Sequence, residues 1–393
     1  MPTSSSDSPS RVLPGDPNAL LVGRLYEHGT GHHLVIVRDD VLVDITPLGP
    51  TMSDLLERTD LLTALAETRT GRSWPLEQIL ADTLDRRGGS ATLLSPIDLQ
   101  VIKAAGVTFA TSMIERVIEE RAKGDPAAAE EVRRRVVDVI GGAISDIVPG
   151  SAKADEVKRV LIADGLWSQY LEVGIGPDPE IFTKAPVLSS VGVGAEIGVL
   201  SRSSWNNPEP EVVLVVTAAG RIVGVTLGND VNLRDFEGRS ALLLAEAKDN
   251  NASCAIGPLI RLLDDSFTLD DVRSLEVDVI VDGDDGFQLH ETSSLSKMSR
   301  DIEDLVLHTV GAHHQYPDGF VLFTGTLFAP TQDRDGVGLG FTHHRGDVVR
   351  ISSPQLGALE NRVTSSEDAA DWVVGIRSLM NELAGRGLIG SFS

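Results

Sequence analysis

Two short runs of alternating apolar residues constrain the fold of this chain more than any other feature. Residues 212–216 and 223–227 both alternate with the period of a β-strand, and a turn-like segment around Ala219-Gly220 separates them. A two-residue loop at Ala219-Gly220 would place Val212 opposite Leu227 and align one wholly apolar face. The segment is therefore predicted to be a β-hairpin with that face in the core.

The other face of the same hairpin collects acidic residues at its open end. The register places Glu211 opposite Gly228 and Glu209 opposite Asp230, so three carboxylates converge. They can all stay ionised only if a cation neutralises them or water screens them. Oxygen ligands without His or Cys suit Mg²⁺ or Mn²⁺, and Gly224 and Gly228 are expected to leave room above this face. The alternative is a set of solvent-facing acids in a chain with 58 acidic residues.

Charge and composition exclude several classes of function. The 393 residues include 58 acidic and 34 basic side chains, a net charge of −24 without a basic stripe, which argues against a nucleic-acid partner. The apolar runs fall far short of the roughly 20 residues of a membrane helix, and residues 1–10 lack a signal-peptide core. The one cysteine, Cys254, allows no internal disulfide. We therefore expect a cytoplasmic protein that binds neither membranes nor nucleic acid.

The distribution of helical and strand patterns predicts an α+β fold with a β-rich mixed catalytic domain. Residues 1–16, rich in Ser and Pro, are predicted to be a disordered tail. Residues 17–96 alternate between strand and helix patterns and are expected to form a smaller N-terminal α+β module. Two or three helices are expected within residues 110–163, and short strands dominate from residue 180 onward. The catalytic domain is accordingly assigned to residues 97–393.

Four sequence blocks, in their order and spacing, resemble the fumarylacetoacetate hydrolase superfamily. The blocks are residues 207–211, 228–235, 247–254 and 323–326. The resemblance covers roughly residues 100–365. Local features at residues 106–109, 115–117, 166–170 and 313–317 are most similar to the sugar-acid branch of the family, the 2-keto-3-deoxy-D-xylonate (pentonate) dehydratases. The resemblance implies a catalytic domain of the fumarylacetoacetate hydrolase type.

The resemblance also implies roles for individual residues. In the family, the Glu-x-Glu pair and the Asp of the Asn-Asp pair hold a divalent metal, which here implies Glu209, Glu211 and Asp230. A lysine before the Ser-Cys stretch acts in the chemistry, which implies Lys248. Substrate-binding roles are implied for Arg234, Gly325 and Thr326. Lys184, in a Lys-x-Pro position that lies near substrate in the family, is a further candidate for orienting substrate, with a surface lysine as the alternative.

One departure from the family pattern bears on the reaction. Hydrolases and decarboxylases of the family place a His and a Glu three residues apart on a helix, where they activate water. Alignment on Phe109 places Ser112 at the His position and Glu115 at the Glu position. We therefore expect an elimination, with Ser112 binding substrate and Glu115 protonating the departing hydroxyl. The alternative for Glu115 is a solvated helix face, on which Glu119 pairs with Lys123.

The expected function is a metal-dependent dehydratase, a hydro-lyase of oxidative pentose catabolism. It would convert 2-keto-3-deoxy-D-xylonate, or another 2-keto-3-deoxy-pentonate, to 2-oxoglutarate semialdehyde with Mg²⁺ or Mn²⁺. Lys248 is the expected base, because burial and a nearby dication would lower its pKa. The alternatives are a C–C hydrolase or decarboxylase of acylpyruvate-like 2-oxo acids and a non-catalytic 2-oxo-acid-binding relative. Family members usually assemble, which implies a homo-oligomer, either a dimer or a tetramer.

Overall fold

The computed structural model describes residues 12–68, 71–85, 89–136, 147–163, 165, 167–328, 330 and 332–390. Its strands are β1 (Leu21–Glu27), β2 (Gly31–Arg38), β3 (Val41–Asp44), β4 (Ser73–Pro75), β5 (Ala91–Leu93), β6 (Val101–Gly106), β7 (Glu180–Ala185), β8 (Glu196–Val199), β9 (Asn206–Asn207), β10 (Pro210–Val216), β11 (Ile222–Asp230), β12 (Asn232–Leu233), β13 (Cys254–Leu262), β14 (Glu276–Asp282), β15 (Gln288–Ser294), β16 (Phe320–Phe323), β17 (Val348–Ser353) and β18 (Gly357–Ser365). Its α-helices are α1 (Met52–Leu56), α2 (Leu61–Glu67), α3 (Leu76–Asp85), α4 (Ala110–Ala122), α5 (Pro126–Val136), α6 (Ala152–Ala163), α7 (Gln169–Ile175), α8 (Arg234–Glu237), α9 (Leu244–Lys248), α10 (Leu269–Arg273), α11 (Ile302–Thr309) and α12 (Ile376–Gly385).

The predicted hairpin, β10 and β11, lies at the centre of an eleven-stranded mixed sheet. The strand order is β4-β3-β2-β1-β13-β11-β10-β16-β6-β7, and β5 pairs with β1. Strands β10, β11 and β13 are buried along their whole length, because apolar clusters cover both faces of the sheet. Burial on both faces explains why these strands read as nearly continuous apolar runs. The β-rich α+β class predicted from the sequence is confirmed.

The hairpin pairs as predicted along its ladder but not at its turn. Glu211 lies opposite Gly228, as expected, whereas Val216 pairs with Ile222 and not with the residue after it. A β-bulge at this step adds one residue, so the turn spans residues 217–221. The predicted two-residue loop is therefore wrong. The bulge restores the predicted register for the rest of the hairpin, including its acidic end.

Core side chains occupy the space that was expected above the two hairpin glycines. A Cβ atom added at Gly228 would lie 2.3 Å from the ring of Phe323, and one at Gly224 would lie 2.7 Å from Ile260 Cγ2. The expectation that Gly224 and Gly228 leave room above this face is therefore wrong. These glycines allow close packing of the sheet face, and the functional cleft lies farther along, at the open end of the hairpin.

A short two-stranded ribbon extends the hairpin beyond its acidic end. Strands β9 and β12 pair Asn207 with Asn232 and Asn206 with Leu233, which continues the register of β10 and β11. A second sheet, of order β15-β14-β17-β18-β8, shares one apolar cluster with the hairpin. Leu233 of the ribbon belongs to the same apolar cluster, which anchors the ribbon to the core.

Helices α4 to α7 form a cluster next to the open end of the hairpin. Their apolar residues, including Val117 and Leu171, pack around Trp205, which immediately precedes β9. Three of these helices, α4 to α6, lie in the stretch where two or three helices were expected; residues 137–146 of that stretch lie outside the described residues. The cluster holds α4 beside the acidic end of the hairpin.

The N-terminal strands extend the main sheet. Leu21 of β1 pairs with Arg261 of β13, so the sheet continues across the predicted boundary at residue 96, and the division into module and catalytic domain stays a prediction. The predicted disordered tail is wrong for residues 12–16, because Val12 is 1% exposed and accepts a hydrogen bond from the amide of Ala358 at 2.9 Å. Residues 1–11 lie outside the described residues. No described helix is both long enough and apolar enough to span a bilayer.

Candidate active site

Three carboxylates meet at the open end of the hairpin, as the register predicted. Glu209 precedes β10, Glu211 lies within it and Asp230 ends β11, and none of them is more than 3% exposed. One oxygen of each lies within 4.8 Å of the corresponding oxygens of the other two. The alternative of solvent-facing acids is therefore wrong.

The surroundings of Glu211 show why this cluster needs a cation. Its Oε2 accepts a hydrogen bond from the amide of Gly325 at 2.7 Å, and no Lys or Arg of the described residues forms an ion pair with it. Burial, followed by the charges of Asp230 and Glu209, raises the pKa of Glu211 well above its usual range. Three converging carboxylate oxygens are the donor set that Mg²⁺ and Mn²⁺ prefer, so these residues fit such an ion.

Lys248, at the end of α9, lies against two of these carboxylates. Its Nζ contacts Glu209 and lies 3.0 Å from Asp230 Oδ2. Burial acts to lower the pKa of Lys248, but the charges of Asp230 and Glu209 outweigh burial and raise it. The lowered pKa expected from the sequence is therefore not found. The position beside the carboxylates agrees with the predicted catalytic role.

Lys184 lies beneath the carboxylates and not beside the cleft. Its side chain is fully buried, its Nζ lies 2.8 Å from Asp230 Oδ1, and it donates to the carbonyl oxygens of Lys248 and Val231. Although burial acts to raise the pKa of Asp230, the charges of Lys184 and Lys248 lower it. The surface alternative for Lys184 is wrong, and its contacts position Asp230 instead of reaching toward a substrate.

Arg116, which was assigned no role from the sequence, joins helix α4 to the carboxylate cluster of Glu209, Glu211 and Asp230. Its guanidinium contacts Glu209, and its Nη1 lies 2.7 Å from Glu119 and 2.8 Å from Glu237. Its position four residues after Ser112, on the same helix face, was the available signal. The alternative in which Glu119 pairs with Lys123 on a solvated helix face is wrong, because Glu119 is buried and paired with Arg116 and Arg234.

Glu115 and Arg234 belong to the same charged network. Glu115 accepts two hydrogen bonds from Arg133, at 3.1 and 2.7 Å, and lies 3.5 Å from Arg234 Nη2. Arg234 donates to Glu119 at 2.7 Å and lies over the ring of Trp205. The solvated alternative for Glu115 is wrong, because the residue is 7% exposed. Both residues hold α4 against the hairpin.

The two hydroxyl groups predicted to bind substrate are engaged in local structure. Ser112 Oγ donates to the carbonyl oxygen of Phe109 at 2.8 Å and accepts from its amide at 3.3 Å, which caps α4. Thr326 Oγ1 donates to the carbonyl oxygen of Pro210 at 3.1 Å and accepts from the amide of Phe328 at 3.0 Å. Both side chains line the cleft, so they shape its wall while their hydroxyl protons point to backbone oxygens.

Glu180, the first residue of β7, is a second residue that sequence reasoning missed. It lines the cleft opposite the carboxylates, and burial followed by the charge of Glu237 raises the pKa of Glu180 to about 7. A carboxyl group with such a pKa can donate and accept protons near neutrality. Nothing in the local sequence distinguishes Glu180 from the other acidic residues.

The cleft has two arms, which share Ser112, Arg116, Glu209 and Thr326. The carboxylate arm also contains Glu180, Glu211, Asp230, Glu237, Lys248 and Gly325. The Asn207 arm also contains Glu115, Glu119, Asn207, Arg234 and Phe328. The three carboxylates and four of the predicted substrate-binding residues, Ser112, Arg234, Gly325 and Thr326, therefore line two neighbouring spaces with a shared wall.

The fold and this arrangement of carboxylates and lysine define a known class of protein. Residues 175–364 match the profile described as the fumarylacetoacetate (FAA) hydrolase C-terminal domain, so the chain carries a domain of the fumarylacetoacetate hydrolase family. The chain is 34% identical over 196 residues to the probable 2-keto-3-deoxyxylonate dehydratase of Haloferax volcanii. It is 33% identical over 184 residues to the 2-dehydro-3-deoxy-D-arabinonate dehydratase of Saccharolobus solfataricus. The matched segments cover 50% and 46% of this chain and 64% and 57% of those relatives.

Solved structures of related enzymes share the fold. The apo form of 2-keto-3-deoxy-D-arabinonate dehydratase superimposes with a TM-score of 0.62 over 88% of this chain and 99% of that chain, at 21% identity. A structure of 2-keto-3-deoxy-D-arabinonate dehydratase complexed with magnesium and 2,5-dioxopentanoate gives 0.59 over the same shares, at 22% identity. The predicted fumarylacetoacetate hydrolase type of fold is thereby confirmed.

Replacing Gly325 by alanine is expected to destabilise the protein. Gly325 has a φ of 89°, and a Cβ atom would lie 2.1 Å from Thr108 Oγ1 and 3.0 Å from the carbonyl oxygen of Ala105. The backbone must shift, which withdraws its amide from Glu211. We expect the free energy of unfolding, measured by urea denaturation, to fall by about 2–4 kcal/mol.

Gly286→Ala is the matched control for this change. Gly286 has a φ of 85°, but nothing lies within 4 Å of its added Cβ, so it isolates the cost of the backbone conformation, about 1–2 kcal/mol. Equal losses in the two variants would mean that the close approach to Thr108 is not responsible.

Proposed function

We propose that this protein is a metal-dependent dehydratase that removes water from a 2-keto-3-deoxy-pentonate to give 2-oxoglutarate semialdehyde. The observation that carries the proposal is the buried cluster of Glu209, Glu211 and Asp230 beside Lys248 in a cleft that also contains Glu180. The names of the two curated relatives support the reaction class and the pentonate substrates. The magnesium and 2,5-dioxopentanoate bound to the structural relative support the metal and the product, since 2,5-dioxopentanoate is the same semialdehyde.

Glu209, Glu211 and Asp230 would hold the metal. When bound, a divalent cation would supply Lewis-acid stabilisation of the charge that develops on the 2-oxo group, and it would neutralise the carboxylates that raise the pKa of Lys248. Gly325 orients Glu211 through its amide, and Lys184 orients Asp230 from below. These two residues therefore position the ligands without contacting substrate.

The elimination needs a base for the C3 proton and an acid for the C4 oxygen. Lys248 Nζ, at the wall of the carboxylate arm, is the proposed base. Loss of the C3 proton to Lys248 leaves the electron pair of the C3–H bond in an enolate, and this pair then forms the C3=C4 double bond as the C4–O bond breaks. Glu180 gives its proton to the departing hydroxyl to make water. Loss of a C5 proton and protonation at C3 convert the enone to the C4=C5 enol, and transfer of the enol proton to C4 yields the aldehyde. Glu180 replaces Glu115 in this role, because two arginines hold the Glu115 carboxylate.

The composition of the cleft favours elimination over hydrolysis. None of the described residues that line its two arms is a histidine, and Ser112 donates its hydroxyl proton to a backbone oxygen. No neutral imidazole is therefore available there to activate water. This observation disfavours the C–C hydrolase alternative.

Direct assay tests the proposal. The protein is incubated with Mg²⁺ and racemic 2-keto-3-deoxy-pentonate, and formation of 2-oxoglutarate semialdehyde is followed by NMR, with a parallel sample containing excess chelator. We expect semialdehyde only in the presence of free divalent metal. Hydrolysis of an acylpyruvate without dehydration of the pentonate, or full activity after exhaustive chelation, would contradict the proposal.

Glu180→Gln is expected to lower kcat by roughly 10²–10³-fold, because the glutamine side chain has no acidic proton to give to the leaving group. Glu180 is protonated below its pKa of about 7, so we expect wild-type activity to fall as the pH rises through 7, and this limb to disappear in the variant. Glu115→Gln is the comparison, since it retains the same limb if its role is structural. Loss of the limb in Glu115→Gln instead would assign the acid to that residue.

A further inference from the structure

The Asn207 arm of the cleft contains one buried polar atom whose hydrogen-bonding capacity is unused. Asn207 is 2% exposed, and its Oδ1 has no hydrogen-bond partner among the described residues. A buried acceptor without a donor costs free energy, so such an atom in a ligand-binding wall points to a ligand group that satisfies it.

The orientation of the Asn207 amide follows from its other contact. Asn207 Nδ2 donates to the carbonyl oxygen of Pro208 at 2.8 Å. A flipped amide would bring two oxygens together at this point, so the hydrogen bond identifies the free atom as the oxygen. The ligand group at this position must therefore be a hydrogen-bond donor.

The other polar side chains of this arm are already paired. Glu119 accepts from Arg116 and Arg234, and Glu115 accepts from Arg133. The hydroxyl groups that line the arm bond to backbone atoms, as described above. Of the described residues that line this arm, Asn207 is therefore the one with a buried side-chain atom left to recognise a ligand.

The position of Asn207 relative to the metal ligands suits the far end of a short 2-oxo acid. Asn207 precedes Glu209 by two residues, and the pairing of Asp230 with Glu209 and of Asn232 with Asn207 keeps this segment extended. Two extended residues span about 7 Å and point to the same side. A five-carbon acid held by its 2-oxo group at Glu209 extends over a similar length toward Asn207.

The charged side chains of the Asn207 arm determine which kind of ligand group can bind beside Asn207. The donors of Arg116 and Arg234 are engaged with Glu115, Glu119, Glu209 and backbone oxygen, and Glu115 and Glu209 are also paired with Arg133 and Lys248. A second carboxylate would therefore be buried without an available cationic partner among the described residues that line this arm, and an alkyl end would leave Asn207 Oδ1 unsatisfied. A neutral hydroxyl avoids burial of an unpaired charge and donates the missing hydrogen bond.

We infer that Asn207 is a specificity-determining residue, which accepts a hydrogen bond from the terminal hydroxyl of a hydroxylated 2-oxo acid bound at the carboxylate cluster. The inference rests on the proposed function for the position of the 2-oxo group. It adds that the site selects a C5 hydroxyl over both a C5 methyl group and a C5 carboxylate.

Binding of unreactive acids tests this assignment separately from turnover. The probes are 5-hydroxy-2-oxopentanoate, 2-oxopentanoate and 2-oxoglutarate, which have five carbons and no C4 hydroxyl to eliminate. Their Kd values are measured by titration calorimetry with Mg²⁺ present. We expect the wild-type protein to bind the hydroxy acid roughly 10- to 100-fold more tightly than 2-oxopentanoate, and 2-oxoglutarate least tightly.

Two variants test whether Asn207 is responsible for the preference for the hydroxy acid. Asn207→Leu is expected to bind the hydroxy acid and 2-oxopentanoate with Kd values within about threefold of each other. Asn232→Leu is the matched control, because Asn232 is the buried ladder partner of Asn207 but is not among the described residues that line either arm. It should retain the wild-type preference. The wild-type comparison of the three acids stands even if a variant fails to fold.

The results that would contradict the role of Asn207 differ from those that would contradict the proposed function. Equal binding of the hydroxy acid and 2-oxopentanoate by the wild-type protein, tightest binding of 2-oxoglutarate, or a preference retained in Asn207→Leu would overturn the role of Asn207. If dehydration of the pentonate proceeds in that same preparation, the proposed function stands. Absence of binding by all three acids, together with absence of dehydration, would overturn both.

Discussion

Glu211→Gln is expected to abolish dehydration and divalent-metal binding together. Glu211 is the proposed ligand without an ion-pair partner among the described lysines and arginines, and burial, followed by repulsion from Asp230 and Glu209, raises its pKa, which a cation would offset. The amide retains the shape and can still accept from Gly325, but it removes the charge that attracts the metal. We expect kcat/KM to fall by about 10³-fold or more, since Lewis-acid stabilisation contributes several kcal/mol to such reactions.

Titration with Mn²⁺ separates loss of metal from loss of folding. The Glu211→Gln variant should give no heat of binding at metal concentrations that saturate the wild-type protein, while its midpoint of urea unfolding without metal should not decrease. The second expectation follows because the substitution removes a source of repulsion among buried acids. Tight Mn²⁺ binding by this variant would exclude Glu211 from the ligand set.

Lys248→Met is expected to remove activity while leaving metal affinity intact or increased. Methionine retains much of the apolar stem but has no group that can accept the C3 proton, so we expect kcat to fall by roughly 10²–10⁴-fold. Loss of the ammonium also removes a positive charge that contacts Glu209 and Asp230, which favours the metal at these ligands. Lys153→Met, at an exposed position of α6, controls for the loss of charge alone.

Measuring proton exchange at C3 tests the role of Lys248 as the base more directly than measuring turnover does. In D₂O with Mg²⁺, the wild-type protein should exchange the C3 protons of 2-oxopentanoate, which has no leaving group, and NMR follows the loss of their signal. Lys248→Met should not exchange them, whereas Glu180→Gln should, because Glu180 acts only after the C3 proton has left. Exchange at the wild-type rate in Lys248→Met would assign the base to another residue.

The cluster of three carboxylates could be predicted from the sequence because its geometry is local to one hairpin. Glu209, Glu211 and Asp230 lie on two strands whose side-chain alternation and pairing follow from the apolar pattern. An error at the turn did not matter, since the bulge at Val216 restored the register. The burial of both faces of the hairpin was harder to predict from the sequence, because segments from distant parts of the chain provide it.

The roles of the individual charged residues could not be predicted from the sequence in the same way. Lys248 and Lys184 lie against the carboxylates and Glu115 lies nearby on α4, but the partners of all three residues come from other elements of the chain. The pKa of Lys248 illustrates the difficulty, because burial and two ion pairs act in opposite directions and the balance depends on coordinates. Glu180 carried no local signal, and its raised pKa arises from burial and from Glu237 on another element.

The amino-acid sequence by itself determined the β-rich architecture, the hairpin register and the three carboxylates at its end, because strand periodicity and turn composition act over short distances. Only the tertiary structure decided which charges are paired and which polar atoms are left to recognise a ligand, as at Asn207. Ion pairing, burial and pKa depend on groups brought together by packing, and no local pattern in the chain specifies that packing.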